Sequence, residues 1–134
     1  MASDRVRGDK IHKTIILDSS AILMFFEFSV DWERQLGSLL GAYHLVVPTA
    51  VVQELQTMAR RRNGQKKAAA ALKLVEKYER IEEEAPSADE ALLKIAEKTQ
   101  GIVVTNDREL RQRLKNQGCA VIFLRGKKKL VLDE

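Results

Sequence analysis

The chain has little of several residue types and patterns, and each shortage narrows the possible functions. Its 134 residues contain one cysteine, Cys119, which excludes an internal disulfide and a cysteine-based zinc site. No uninterrupted apolar run approaches the roughly 20 residues that a membrane helix needs. The opening segment, MASDRVRGDKIHK, is charged and lacks the apolar core of a secretory signal. We therefore expect a cytoplasmic protein with no membrane partner.

What the chain does have is the composition of a soluble, folded domain. Hydrophobic residues make up 45% of the sequence and charged residues 31%, which favours a globular domain over a disordered segment. The length suits one domain with a real core. We predict a single domain over residues 13–134, preceded by a flexible tail over residues 1–12.

Short β-branched apolar runs alternate with amphipathic segments along the chain. Strands are predicted over residues 14–18, 43–47, 78–82, 102–105, 120–124 and 129–132. Helices are predicted over residues 21–28, 32–40, 49–62, 65–77, 87–100 and 107–117. Pro48 is expected at the first position of the third helix. Strands separated by helices favour an α/β fold, in which a parallel sheet carries helices on both faces.

Four acidic residues stand where predicted elements begin or end, each beside an apolar run. We refer to Asp18, Glu54, Asp89 and Asp107 as the acidic quartet. Asp18 (in TIILDSS) and Asp107 (in GIVVTND) each follow a strand and precede a helix, the position at which open α/β sheets bind ligands. Carboxylates from distant parts of a chain commonly converge to hold a divalent metal. The alternative, that either aspartate is only a helix N-cap, stays open.

The other two members of the quartet lie on predicted helices. Glu54 falls on the border of the apolar stripe in VVQELQTMA, where it can reach a cleft or stay a solvated edge residue. Ser87 and Glu90 fit a capping box, which gives Glu90 a structural role. Asp89 lies at the edge of the next apolar stripe and is the better candidate for the cleft. Its alternative role is a favourable charge against the helix dipole.

Hydroxyls and basic side chains complete the candidate site. Ser20 and Thr105 are close in sequence to two of the acids and are expected to orient carboxylates, or else to be turn residues. The net charge is +4 and is concentrated in RRRNGQKK and RGKKK, segments that suit phosphate contacts or a solvated face. The RNA-binding candidates are Arg60, Arg61, Arg62, Lys66, Lys67, Arg125, Lys127 and Lys128.

Taken in order, these segments resemble the PIN-domain family of metal-dependent nucleases, most closely its ribonucleases. ILDSSAI, VVPTAVVQEL and SADEALLKIAEKTQGIVVTNDREL carry the resemblance. It implies a three-layer α/β/α sandwich with a parallel sheet of about five strands. It also implies an endoribonuclease whose quartet holds one or two Mg²⁺ or Mn²⁺ ions, supported by Ser20 and Thr105. Many members have asparagine where Ser20 stands.

The resemblance leaves the biological role open. The basic segment followed by an alanine-rich helix is most similar to the pre-ribosomal RNA endonuclease branch, which implies ribosomal RNA processing with ribosome-assembly partners. A VapC-type toxin ribonuclease, with an antitoxin partner, is the alternative, as is a non-cleaving RNA- or protein-binding module. A homodimer built on apolar helices such as 21–28 is also open.

One consequence of the quartet can be checked without metal or RNA. Four carboxylates packed together repel one another, so at least one of their pKa values should be raised in the metal-free protein.

Overall fold

The computed structural model describes residues 13–61 and 65–134. Its strands are β1 (Lys13–Leu17), β2 (Tyr43–Pro48), β3 (Glu79–Ile81), β4 (Ile102–Val104), β5 (Val121–Arg125) and β6 (Lys129–Asp133). Its helices are α1 (Ser19–Phe28), α2 (Trp32–Leu40), α3 (Thr49–Ala59), α4 (Gln65–Val75), α5 (Ala88–Thr99) and α6 (Arg108–Asn116). The predicted tail over residues 1–12 lies outside the described residues.

The strands form one sheet in the order β3-β2-β1-β4-β5-β6, flanked by helices. Strand β1 lies inside it and pairs in parallel with both β2 and β4. Ile15, Ile16 and Leu17 are each 0% exposed, because the elements on both faces of the sheet cover them. A strand buried on both faces has no polar side to show, which is why its sequence is a continuous apolar run. The predicted α/β fold is confirmed.

The last strand departs from the expected all-parallel sheet. Pairings from β3 through β5 are parallel, but β6 runs antiparallel to β5, so the sheet has a sixth strand of opposite direction. Arg125 pairs with Lys129, which leaves a three-residue turn between the strands. Such a turn is too short for a parallel crossover, and Gly126 supplies the left-handed backbone it needs, with φ of 64°.

Several predicted helix boundaries were wrong. Helix α1 begins at Ser19 rather than at residue 21, and α4 ends at Val75 rather than at residue 77. Two further differences concern α3. Pro48 is the last residue of β2 and the N-cap of α3, one position earlier than expected, because it still pairs with Ile81 across the sheet. The third helix ends at Ala59 rather than at residue 62, so Arg60 and Arg61 follow it. None of the described helices is long and apolar enough to cross a membrane.

Candidate active site

The sheet reverses its strand order between β1 and β4. From β1 the chain builds outward to β2 and β3 on one side and to β4 and β5 on the other. In open α/β sheets the connections leave such a point in opposite directions and open a crevice beyond the carboxyl ends of the strands. Asp18 immediately follows β1, and Asp107 follows β4 after a two-residue loop. Two members of the quartet therefore stand at this crevice.

Asp18 is held in a fixed orientation by its neighbours. The residue is only 4% exposed. The backbone N–H of Ser19 donates to Oδ1 at 2.8 Å, while Ser20 Oγ and Thr105 Oγ1 donate to Oδ2 at 2.7 and 2.6 Å. The donors come from the segments that follow β1 and β4, so this carboxylate has a fixed place in the crevice. Ser20 and Thr105 thus both donate to the same oxygen of Asp18.

Thr105 joins two acids of the quartet. It is fully buried, and its Oγ1 donates to Asp18 while accepting the backbone N–H of Asp107 at 3.1 Å. The threonine hydroxyl can donate one bond and accept others, and valine of the same shape can do neither. Thr105 therefore fixes the separation between the end of β1 and the loop after β4.

Asp107 is a helix cap as well as a member of the quartet. Its Oδ1 accepts the backbone N–H groups of Glu109 and Leu110 at 3.0 and 3.2 Å, which begins α6. These bonds use Oδ1 and leave Oδ2 available to another ligand. The two readings that the sequence left open are therefore compatible, since one carboxylate can cap a helix and present its second oxygen to a crevice.

Glu54 reaches the site from the middle of α3. It is half-buried, and Ser19 Oγ donates a hydrogen bond to its Oε1. Ser19 is itself buried and follows Asp18 directly. Ser19 was not among the sequence candidates, although its place beside an acid at the start of a helix was a usable signal. Ser19 therefore links Glu54 to the segment that carries Asp18.

Asp89 provides the observation that brings the whole quartet together. It is the second residue of α5 and is half-buried. Burial raises the pKa of its carboxyl group, and the negative charges of Asp18, Asp107 and Glu54, in that order, raise it further. Three residues from separate elements act on one carboxyl group, so all four acids share one region. The raised pKa agrees with the repulsion expected of the metal-free quartet.

A positive charge also lies beside Asp89. Arg113 of α6 lowers the pKa of Asp89, although less than the acids raise it. The guanidinium is paired with Glu90, so the Glu90 side chain turns to α6. The predicted helix cap itself is present, since the backbone N–H of Glu90 donates to Ser87 Oγ at 3.2 Å. Arg113 was not among the sequence candidates because it lies far along the chain from every other site residue except Asp107.

The acids are grouped without forming a closed ligand cage. Across residues 13–61 and 65–134, no three His, Cys, Asp or Glu side chains are arranged to hold a metal ion together. Magnesium usually takes only one or two protein carboxylates and completes its shell with water and substrate phosphates. The donor chemistry, all carboxylate oxygen, therefore fits such an ion, with the remaining ligands left to water and substrate.

One lysine from each basic segment lies at the end of α1. Lys67 Nζ donates to Glu27 at 2.8 Å, and Lys127 Nζ lies 5.7 Å from the ring centroid of Phe28. Glu27 and Phe28 end α1, about 12 Å along its axis from Ser19. We call the region around these two lysines the basic surface; it lies roughly a helix length from the crevice.

The remaining basic candidates occupy the same two segments. Arg60 and Arg61 follow α3, and Lys66 lies on the first turn of α4; all three are exposed. Arg125 and Lys128 are exposed at the turn between β5 and β6. Arg62 lies outside the described residues.

Asn106 connects the site loop to the second basic segment. Its Oδ1 accepts the backbone N–H of Leu124 at 2.8 Å, and its own backbone N–H donates to Ser20 Oγ at 3.2 Å. Leu124 is followed by Arg125, so the basic turn starts beside the loop that carries Asp107. The sequence analysis gave Asn106 no role, because an asparagine between a threonine and an aspartate reads as an ordinary turn residue.

With this geometry in place, the chain can be compared with known proteins. The family described as PIN-like domains matches residues 15–127. This match covers most of the chain, and the chain belongs to that family. The family prediction is confirmed.

Two relatives cover nearly the whole chain. Ribonuclease VapC9 of Archaeoglobus fulgidus is 30% identical over 135 residues, which cover 99% of this chain and 98% of the relative. Ribonuclease VapC4 of Methanocaldococcus jannaschii is 27% identical over 120 residues, which cover 85% of this chain and 92% of the relative. The similarity therefore spans the quartet, the basic turn and the sheet together.

Solved structures agree with the fold. The PIN domain endonuclease Utp24 superposes with a TM-score of 0.74 at 19% identity and covers 90% of each chain. A domain of a functionally unknown protein from Methanocaldococcus jannaschii gives a TM-score of 0.64 at 22% identity, covering 90% of this chain and 99% of that one. At such identities the likeness shows the α/β architecture alone.

Proposed function

We propose that this protein is a metal-dependent endoribonuclease that hydrolyses phosphodiester bonds of RNA. The observation that carries the proposal is the grouping of the four acids at the strand-order reversal. Thr105 links Asp18 to the loop of Asp107, and Ser19 links the end of β1 to Glu54. The charges of these three acids raise the pKa of the fourth, Asp89. A structural role does not require this arrangement, because packing like charges together without a counter-ion is unfavourable. A hard divalent cation removes that cost.

The four carboxylates of the quartet would hold the cation. Oxygen-only donors select Mg²⁺ or Mn²⁺, as one or two ions, and do not suit zinc. When bound, such an ion supplies an activated water at neutral pH and offsets the charge that builds on the phosphate oxygens.

The protein's own residues prepare this site. Ser20 and Thr105 keep Oδ2 of Asp18 oriented by donating to it, and Ser19 does the same for Oε1 of Glu54. Fixed carboxylates lose little freedom when an ion binds, which favours binding. Arg113 keeps a positive charge beside Asp89 and so favours its ionised, ligating form.

RNA contacts would come from the basic surface at the end of α1 and the turn after β5. Lys66, Arg125, Lys127 and Lys128 are exposed there and suit phosphate oxygens, which are recognised without regard to sequence. The strength of such contacts falls with added salt, because each one releases condensed counter-ions. We therefore expect RNA affinity to depend strongly on ionic strength.

The relatives support the ribonuclease proposal and favour one biological setting. Both are named ribonucleases VapC, and one matches nearly end to end, so a toxin ribonuclease with an antitoxin partner is the better supported role. A role in ribosomal RNA processing, with ribosome-assembly factors as partners, is the second candidate; it rests on the basic segment followed by an alanine-rich helix in the sequence. A small adjacent antitoxin reading frame would favour the first role, and ribosome-assembly neighbours the second.

The proposal is tested by cleavage of a labelled single-stranded RNA under controlled metal conditions. We expect cleavage with Mg²⁺ or Mn²⁺, none after chelation by EDTA, and recovery when excess metal is restored. A second assay uses the Asp107→Asn variant, with Asp31→Asn, an exposed aspartate at the N-cap of α2, as the matched control. Cleavage that persists in EDTA, or that is the same in both variants, would contradict the proposal.

A further inference from the structure

A shallow groove runs between α6 and the β5–β6 hairpin. Arg108, Arg111 and Lys115 line its helical side, and Phe123 and Asp133 line its sheet side. Arg108 directly follows Asp107, so the groove begins at the candidate active site. At its far end Lys115 Nζ pairs with Asp133 at 2.7 Å. The groove is therefore short and closed by an ion pair.

The middle of the groove holds a guanidinium in a defined place. The Arg111 Cζ atom lies 4.0 Å from the ring centroid of Phe123. Arginine stacked on an aromatic ring loses less freedom when it binds a ligand than a free side chain does. Nucleobases stack on arginine planes in single-stranded RNA recognition, where the bases are splayed out of a helix. Arg111 over Phe123 is therefore a preformed stacking platform.

The hairpin adds positive charge to the same face. Side chains two residues apart share a face of a strand, so Arg125 lies on the side of Phe123 and of the groove. Its cross-strand partner is Lys129, and both are exposed. Like charges directly opposite each other destabilise a strand pair. An anion at this place would relieve that repulsion, as a phosphate group does.

We propose that this groove binds the single-stranded flank of the RNA on one side of the scissile bond. A base stacks against Arg111 over Phe123, and phosphates contact Arg108 and the Arg125–Lys129 pair. The inference rests on the proposed function and names the form of its substrate. Double-stranded RNA is excluded from the platform, because its bases are stacked on one another and hidden from it.

Binding is measured in the Asp18→Asn background, which prevents cleavage, with one fluorescent RNA oligonucleotide used as a single strand and as a duplex. Arg111→Lys keeps the charge and removes the planar group, so single-stranded affinity should fall by about 5-fold to 100-fold, the loss of one stacked base. Duplex affinity should not change. Arg80→Lys, an exposed arginine at the opposite edge of the sheet, is the matched control and should change neither.

A second variant gives effects of opposite sign. Lys129→Glu replaces the like-charge pair by an ion pair with Arg125, so the melting temperature should rise while RNA affinity falls. The slope of log affinity against log salt should decrease by about 1 for the lost phosphate contact. If Lys129 affects only the hairpin and does not bind RNA, the substitution would change the melting temperature but not the salt dependence of RNA binding.

The outcomes separate this inference from the proposed function. The groove proposal is wrong if Arg111→Lys binds the single strand as tightly as the parent protein does. It is also wrong if the variant loses equal affinity for single strand and duplex. Neither result would affect the cleavage of RNA by the wild type. Tight binding of a poly-glutamate peptide with the same dependence on Arg111 would overturn it in favour of an acidic protein partner. Binding that depends on Arg111 in a wild type that never cleaves RNA would instead overturn the endoribonuclease proposal.

Discussion

The two sides of the candidate active site are built differently. Asp18 follows a central strand, is nearly inaccessible and accepts three hydrogen bonds from neighbouring groups. Asp89 lies on the first turn of a helix at the other side, is half-buried, and has a pKa that neighbouring acids raise. One side is thus set by the sheet before anything binds. The other carries the repulsion that a bound cation would relieve.

The largest effect is expected on the fixed side. Asp18→Asn should lower RNA cleavage at least about 100-fold, since residues that merely support metal ligands already cost about 10- to 100-fold when mutated. The measurement is the single-turnover cleavage rate with Mn²⁺. Asp31→Asn, at the exposed N-cap of α2, is the matched control and should retain full activity. Equal rates for the two variants would remove Asp18 from the mechanism.

Removing the hydroxyl that joins the two strands should have the next largest effect. Thr105→Val deletes the bond to Asp18 and the acceptor for Asp107, and should lower activity about 10- to 100-fold. The free energy of unfolding should also fall by about 1–3 kcal/mol, because a buried polar group loses its partner. Thr99→Val, whose hydroxyl bonds only its own helix and the following turn, should lose stability without losing activity. If both variants lose activity alike, a general loss of stability explains the result.

On the other side, a substitution should stabilise the metal-free protein. The raised pKa of Asp89 means that the folded chain holds this proton at a pH where the unfolded chain has released it. As the pH rises through and above the ordinary value of about 3.9, the wild type therefore loses stability that Asp89→Asn keeps. The variant should melt at a slightly higher temperature at pH 7 in EDTA, and the difference should vanish near pH 4. Excess Mn²⁺ should reverse the order; a variant less stable than wild type in EDTA would contradict this account.

The smallest effect concerns the arginine beside that acid. Arg113→Gln removes the charge that lowers the pKa of Asp89, so Mn²⁺ binding should begin at a higher pH than in the wild type. The shift should be small, because Arg113 is the weakest of the causes that act on the pKa of Asp89. Arg34→Gln, an exposed arginine paired with Asp31 on α2, should leave the pH profile unchanged. An unchanged profile for Arg113→Gln would show that Glu90 neutralises Arg113 completely.

The contrast between the two sides also separates what the sequence could and could not predict. Asp18 and Asp107 were predictable because each ends a β-branched apolar run, and parallel strands carry such residues to one edge. Ser20 and Thr105 followed from their closeness to those acids. The position of a residue in a strand or in the turn that follows it can thus be predicted from that short segment of sequence alone.

Contacts between distant helices were not readable in this way. Arg113 pairs with Glu90 and acts on the charge of Asp89 because α5 and α6 pack together. No spacing along the chain predicts that packing. Lys67 and Lys127 both lie at the end of α1, and the sequence did not predict this placement either. The strand at residues 129–132 was predicted, but its antiparallel direction was not. The short connection from the preceding strand should have indicated that direction, because it cannot make a parallel crossover.

Anomalous diffraction from crystals soaked in Mn²⁺ tests the central claim most directly. The account predicts a manganese peak in the crevice beyond β1 and β4, contacted by carboxylate oxygens of at least two members of the quartet. It further predicts that this peak disappears in crystals of Asp18→Asn. A crevice without manganese in the wild type, or an ion bound only elsewhere on the molecule, would contradict it.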